Sequence, residues 1–134
     1  MAHFTLTVHT TRTITAPEYG TALDIGDIKA LLRDTGSHFF DAGTMRYFRS
    51  RVAEGVIAGA EGWYFVTSEQ HERLYGGMDA RKYTVRRVWY RRDDSGQPVD
   101  VDIETASDFQ AYPTLGQART AARRLAAGTM ASAA

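Results

Sequence analysis

Between residues 81 and 108 the charge of this chain is sorted into two blocks. Arg81, Lys82, Arg86, Arg87, Arg91 and Arg92 come with no acid among them, and Asp93, Asp94, Asp100, Asp102, Glu104 and Asp108 follow with no base. The bases lie in Lys82-Tyr83-Thr84-Val85-Arg86-Arg87-Val88-Trp89-Tyr90, a β-branched and aromatic run that reads as a strand. The acids lie in Val99-Asp100-Val101-Asp102-Ile103-Glu104, whose apolar/acidic alternation has the period of two of a half-buried strand. Asp93-Asp94-Ser95-Gly96 between them is a turn cluster. A hairpin about that turn sets opposite charges across from one another, each favourable pair contributing about 0.2–1 kcal/mol. Register decides which arginine takes part. If Val85 and Trp89 share the core face with Val99, Val101 and Ile103, Arg86 faces the acids and Arg87 the core; a shift of one residue exchanges them. An arginine left on the apolar face needs a partner or must snorkel to an edge.

The rest of the chain supplies elements to pack on this hairpin. Trp63-Tyr64-Phe65-Val66-Thr67-Ser68 reads as a third strand, joined to the second by a polar connection with Gly76-Gly77. Phe4-Thr5-Leu6-Thr7-Val8 alternates as a half-buried strand that extends the sheet, and Thr13-Ile14-Thr15 continues it or begins another. Ile28, Leu31 and Leu32 recur at helical spacing behind Asp27 as N-cap, with Gly36 as the stop. A second helix is expected from Asp41 or Thr44, with Met45, Phe48 and Val52 on one face, Arg46, Arg49 and Arg51 off it, and Gly55 as its end. Val56 to Ala60 reads as a weak strand or a loop. Thr114 caps a last helix with Leu115, Ala118, Ala122 and Leu125 on one stripe, closed by Gly128. The expected fold class is α+β: a mostly antiparallel sheet of three to four strands with helices packed mainly on one face. At 134 residues this is one domain over 1–128, with a flexible tail at 129–134.

Composition excludes several function classes. Sixteen bases against sixteen acids rule out a chain-wide polycation. The absence of cysteine removes disulfides, thiol nucleophiles and cysteine zinc sites. Met1 to Thr7 lacks a basic n-region followed by an apolar stretch, and no apolar run approaches the roughly 20 residues of a membrane helix, so a cytoplasmic protein without membrane contact is expected.

Catalytic constellations are missing too. No two of His3, His9, His38 and His71 stand at i, i+4, and His71-Glu72-Arg73-Leu74-Tyr75 has Tyr where an H-E-x-x-H motif needs its second ligand. There is no Gly-x-Ser-x-Gly elbow, and Gly20 and Gly26 are spaced like a phosphate loop with Asp27 in place of its Lys. We therefore expect no metal, no cofactor and no enzyme. Two binding readings stay open. In one, Arg86, Arg91 and Arg92 from the sheet, with Tyr90 and Trp89 for stacking, join the second-helix arginines Arg46, Arg49 and Arg51 in a nucleic-acid surface, with Arg87 as a further binding candidate. The element order from residue 44 onward, helix, three strands, helix, is that of a double-stranded-RNA-binding domain, although Thr114-Leu115-Gly116-Gln117 is neutral where such domains place lysines. In the other, Phe39-Phe40 before the second helix, with Tyr47, Tyr64 and Tyr75, form a patch for a protein partner.

Four blocks in order carry a resemblance: Phe39-Phe40 with Thr44-Met45-Arg46-Tyr47-Phe48-Arg49-Ser50-Arg51-Val52, then Tyr64-Phe65-Val66-Thr67-Ser68-Glu69, Tyr83-Thr84-Val85-Arg86-Arg87, and Phe109-Gln110-Ala111-Tyr112 before Ala121-Ala122-Arg123-Arg124-Leu125. They resemble a family of small uncharacterised proteins of phages and actinobacteria. The likeness covers residues 38–126 and leaves 1–37 outside. It implies a small accessory protein of phage or mobile-element origin, acting in the host cytoplasm on a host or phage protein, and it singles out Arg46, Arg49 and Arg51. The plainer role for such arginines is to brace the sheet through carbonyls or Glu69. A homodimer paired through the N-terminal strand edge is also expected to be possible.

Overall fold

The computed structural model describes residues 3–8, 12–47, 49–53, 55–71 and 73–128; the expected tail and the place of Phe48 on a helix face lie outside them. β1 (His3–Val8) and β2 (Arg12–Pro17) pair antiparallel as a separate two-stranded sheet. After α1 (Ile25–Asp34) and α2 (Ala42–Tyr47) come five strands: β3 (Arg51–Val52), β4 (Ile57–Gly59), β5 (Gly62–Glu69), β6 (Lys82–Arg92) and β7 (Pro98–Thr105). All pairings are antiparallel; β3 and β4 share one edge of β5, followed by β6 and β7. α3 (Leu115–Ala126) closes the order.

The α+β class and the antiparallel sheet stand as expected, with more strands than three to four because two short pieces pair with β5. For the same reason the run from α2 onward is helix, five strands, helix. The helices are divided between the two faces. β5 is buried at all eight positions, so each of its faces needs a cover. Trp63 and Phe65 meet α1 and the β1–β2 hairpin through Leu6, Val8, Ile28 and Leu32. Tyr64 and Val66 meet Ala118, Ala121 and Ala122 of α3. The N-terminal strand therefore lies over the sheet and does not extend it.

Helix ends account for the other differences. Asp24, not Asp27, caps α1, and Asp27 serves as the third residue of a capping box: its amide donates to Asp24 at 2.8 Å and its carboxylate accepts from the Asp24 amide at 3.0 Å. α1 then ends in a Schellman motif, Ser37 N–H to Leu32 O and Gly36 N–H to Arg33 O, with Gly36 at φ +87°. α2 ends with the same two bonds, Ser50 N–H to Met45 O at 2.7 Å and Arg49 N–H to Arg46 O at 3.1 Å, but the left-handed residue is Arg49 at φ +52°. The helix expected to run to Gly55 stops there, and Val52, assigned to its face, sits in β3 opposite Thr67. A non-glycine residue in that conformation costs about 1–2 kcal/mol.

One glycine is fixed by close approach. Gly62 opens β5 at φ +150°, and a Cβ there would lie 2.6 Å from the Val88 carbonyl oxygen. Gly62→Ala is expected to cost about 2–4 kcal/mol through the clash and the backbone strain together. Urea unfolding should show this as a lower midpoint at unchanged slope.

Candidate functional site

The register places Arg86 on the core face, opposite Phe65 on β5 and Thr105 on β7. Its side chain is satisfied inside: Nε donates to Thr67 Oγ1 at 3.0 Å, Nη1 to Thr105 Oγ1 at 2.9 Å, and Nη2 reaches Glu69 Oε2 at 3.4 Å. Glu69 is fully buried, and its other oxygen accepts from the Thr84 hydroxyl at 2.7 Å. The guanidinium also lies over the rings of Phe39 and Phe109, 5.3 and 5.6 Å from their centroids. Burial pulls the Arg86 pKa down and Glu69 pushes it back up. Arg86 is therefore a brace inside the sheet, and Glu69 is its partner.

The rest of the β6 set is largely spoken for. Arg87 pairs with Glu104 at 3.0 Å and donates to the Glu61 carbonyl, and Arg91 reaches Asp100 at 3.3 Å and Asp102 at 3.5 Å. This is the cross-strand neutralisation expected of the two charge blocks. Arg92 folds back on the Gly96 carbonyl at 2.7 Å. Tyr90, read as a stacking platform, is 2% exposed; its hydroxyl donates to the Pro17 carbonyl and its ring packs on Phe4, Tyr19 and Trp63. Arg86 and Tyr90 thus have no face to offer a nucleic acid.

The three arginines of the second-helix block do converge, though on a helix end and a strand instead of one helix. Arg46 on α2, Arg49 at its left-handed terminus and Arg51 on β3 line a cleft of about 300 Å³ with Met45, Ser50, Gln70 and Arg81. Arg81 ties the site together: its Nη1 donates to the Arg49 carbonyl at 3.1 Å, the Ser68 carbonyl at 3.1 Å and Ser68 Oγ at 2.8 Å. Its pKa is held below the usual guanidinium range, first by burial and then by neighbouring Arg51. The described lining carries four guanidinium groups and no carboxylate. Sequence reasoning missed Arg81 as a site residue, because it enters only when β6 pairs with β5; its one sequence signal was to open the basic block.

The connection between Gln70 and Arg81 leaves from this cleft as a narrow, cross-tied loop. Gln70 Nε2 donates to the Asp79 carbonyl, Asp79 N–H to the His71 carbonyl and Arg73 N–H to the Gly77 carbonyl, each at 2.9 Å, and the Arg73 guanidinium pairs with Asp79. Gly76 and Gly77, both with positive φ, turn the tip. Leu74 and Tyr75 there are 88% and 96% exposed. A second groove of about 390 Å³ runs along α3 between Tyr112 and Arg124. Among the described residues no three His, Asp or Glu side chains stand where they could hold a metal, and no helix is long and apolar enough to cross a membrane.

No curated protein and no solved structure matches this chain. A family model does match, over residues 24–123, from the cap of α1 to most of α3, beginning earlier than the motif blocks at residue 38 suggest. That span is well over half of the sequence, and the chain belongs to this family of unknown function, DUF7447.

Proposed function

We propose that this is a binding protein without catalytic activity, which holds an anionic segment of a macromolecular partner in the cleft of Arg46, Arg49, Arg51 and Arg81. The phage or mobile-element origin implied by its motif blocks makes that partner a host or phage macromolecule met in the host cytoplasm. One observation carries the reading: four guanidinium groups share one cleft, and one of them sits on a left-handed backbone where its neighbour α1 uses glycine. Strain retained at a surface cleft is a mark of function more than of folding.

Thermal unfolding tests it. Pyrophosphate, compared with sodium chloride at equal ionic strength, is expected to raise Tm by roughly 2–6 °C at about tenfold over its Kd. Arg46→Ala/Arg51→Ala should abolish the shift. Arg49→Gly should shrink it while leaving the ligand-free protein as stable or up to about 1 kcal/mol more stable, since glycine relieves the φ strain. A shift missing in the wild type, or unchanged in the variants, sinks the reading. Nucleic acid is the second reading, favoured by the fit of guanidinium to phosphate. It requires retention on a DNA or RNA matrix that falls steeply with salt, as neutralising several phosphates does.

A further inference from the structure

Three large apolar side chains stand out as exposed among the described residues: Leu74, Tyr75 and Phe109. Leu74 and Tyr75 are the central pair of a tight turn, closed by the Gly76 N–H donating to the Arg73 carbonyl at 3.2 Å. Turn centres ordinarily hold Gly, Pro, Asn, Asp or Ser, which supply the backbone angles or the hydrogen bonds that a turn needs. A leucine and a tyrosine in their place leave almost their whole surface in water. The turn is also fixed. Arg73 N–H bonds the Gly77 carbonyl, Asp79 N–H the His71 carbonyl and the Arg73 guanidinium the Asp79 carboxylate, each at 2.9 Å. An apolar pair held out on a cross-tied loop loses little conformational entropy on docking.

The concave counterpart lies on α3. Tyr112, Gly116, Gln117, Thr120, Ala121 and Arg124 line the groove of about 390 Å³, within the roughly 300–1,000 Å³ of pockets that enclose small ligands. Its floor is open at Gly116, where a Cβ would meet nothing within 4 Å. Groove and tip spring from one junction. Tyr112 at the end of the groove bridges to Tyr83, its N–H donating to the Tyr83 carbonyl at 3.1 Å, and Tyr83 is the second residue of β6, just past the loop. From base to tip the loop spans about four residues, roughly 10–15 Å, about the diameter of a helix. The exposure of Leu74 and Tyr75 shows that the tip does not enter the groove of its own molecule.

We infer that the protein forms a two-fold homodimer in which the Leu74–Tyr75 tip of each copy lies in the α3 groove of the other. Area selects a second copy over a one-way partner. A buried aromatic covers about 150–250 Å² and the leucine somewhat less, so one tip and the groove around it bury on the order of 600 Å². A single contact of that size falls short of the roughly 1,000 Å² that a stable interface needs, whereas two reach about 1,200 Å², the lower end of specific interfaces. A two-fold axis supplies the second contact without a new surface, because each copy gives a tip and receives one. Tyrosine also fits the groove chemically. Its ring is apolar and its hydroxyl needs a polar partner, which Gln117, Thr120 or Arg124 offers at the groove.

Sedimentation equilibrium of the full chain tests this. The wild type should dimerise with a Kd below about 100 µM. Leu74→Ser/Tyr75→Ser, at two exposed sites, should raise that Kd at least about tenfold while keeping the far-UV circular dichroism of the wild type. Two groove variants should do the same: Gly116→Phe, which fills the groove from an open position, and Thr120→Glu, which puts a charge into it from the exposed side of α3. An equimolar mixture of the tip variant with Gly116→Phe retains one intact tip and one intact groove. It should associate more tightly than either variant alone and less tightly than the wild type. A wild type that stays monomeric at about 100 µM overturns the inference. A dimer that survives the tip variant, as one paired through the edge of β2 would, overturns it too. So does a dimer kept in either groove variant, or a mixture that restores no association.

Discussion

Arg86→Ala is expected to destabilise the protein by about 3–5 kcal/mol, the usual cost of removing one partner from a buried ion pair. The loss has little to do with the 3.4 Å contact to Glu69 itself. It comes from what is left behind: a fully buried carboxylate with only the Thr84 hydroxyl, two threonine hydroxyls without their donor, and the Phe39 and Phe109 rings against a void. Glu69→Ala should cost as much, since it strands a buried guanidinium. Arg86→Met/Glu69→Leu together should cost far less than the sum, because apolar groups of similar volume replace a buried pair with little or no penalty. Urea unfolding of the wild type, Arg86→Met, Glu69→Leu and the combined Arg86→Met/Glu69→Leu protein gives the coupling energy directly. Additive losses would show that the network does not act as a unit.

Trp63→Ala is expected to cost about 3–5 kcal/mol as well, by cavity formation. Trp63 is completely buried, its ring packs edge-on against Tyr19 and Tyr90, and its indole N–H donates to the Thr21 carbonyl at 2.9 Å. The side chain thus fastens the segment after β2 to the central strand. Trp63→Phe keeps an aromatic ring but loses that hydrogen bond and some volume, and should cost roughly 1–2 kcal/mol. Far-UV circular dichroism in urea separates the two variants. Equal stability of Trp63→Ala and wild type would contradict the packing described here.

The hairpin of β6 and β7 was legible in the sequence because its charges are sorted and β7 alternates cleanly. Its register was not. Arg91 pairs with Asp100 but Arg92 with Pro98, a bulge of one residue beside the turn. Counting back from Arg92 and Pro98 without the bulge puts Trp89 opposite Val101 and sends Arg86 toward Glu104. The bulge reverses that parity, so Arg87 meets the acid and Arg86 the core. The local pattern could not decide, because both alternating sets of β6 hold bulky apolar residues and an arginine. α2 misled for a related reason. Met45 and Val52 fit helical spacing, and nothing in Arg49 announces the left-handed turn that glycine announces at Gly36. Three members of the cleft carry a sequence signal as neighbours in one block. Arg81, whose side chain reaches the Arg49 carbonyl across 32 residues of chain, does not.

The hairpin of β1 and β2 lies outside the segment that this chain shares with its family, yet Leu6, Val8 and Ala16 belong to the same buried cluster as Trp63, Val88 and Val101. The stretch that matches the family and the unit that shuts out water are therefore not the same stretch of chain. A relative that keeps only the shared segment must roof that face of the sheet with some other piece of polypeptide or present it to another molecule. The arginine cleft is built wholly from residues 45–81. The roof can thus be exchanged without touching any residue of the arginine cleft.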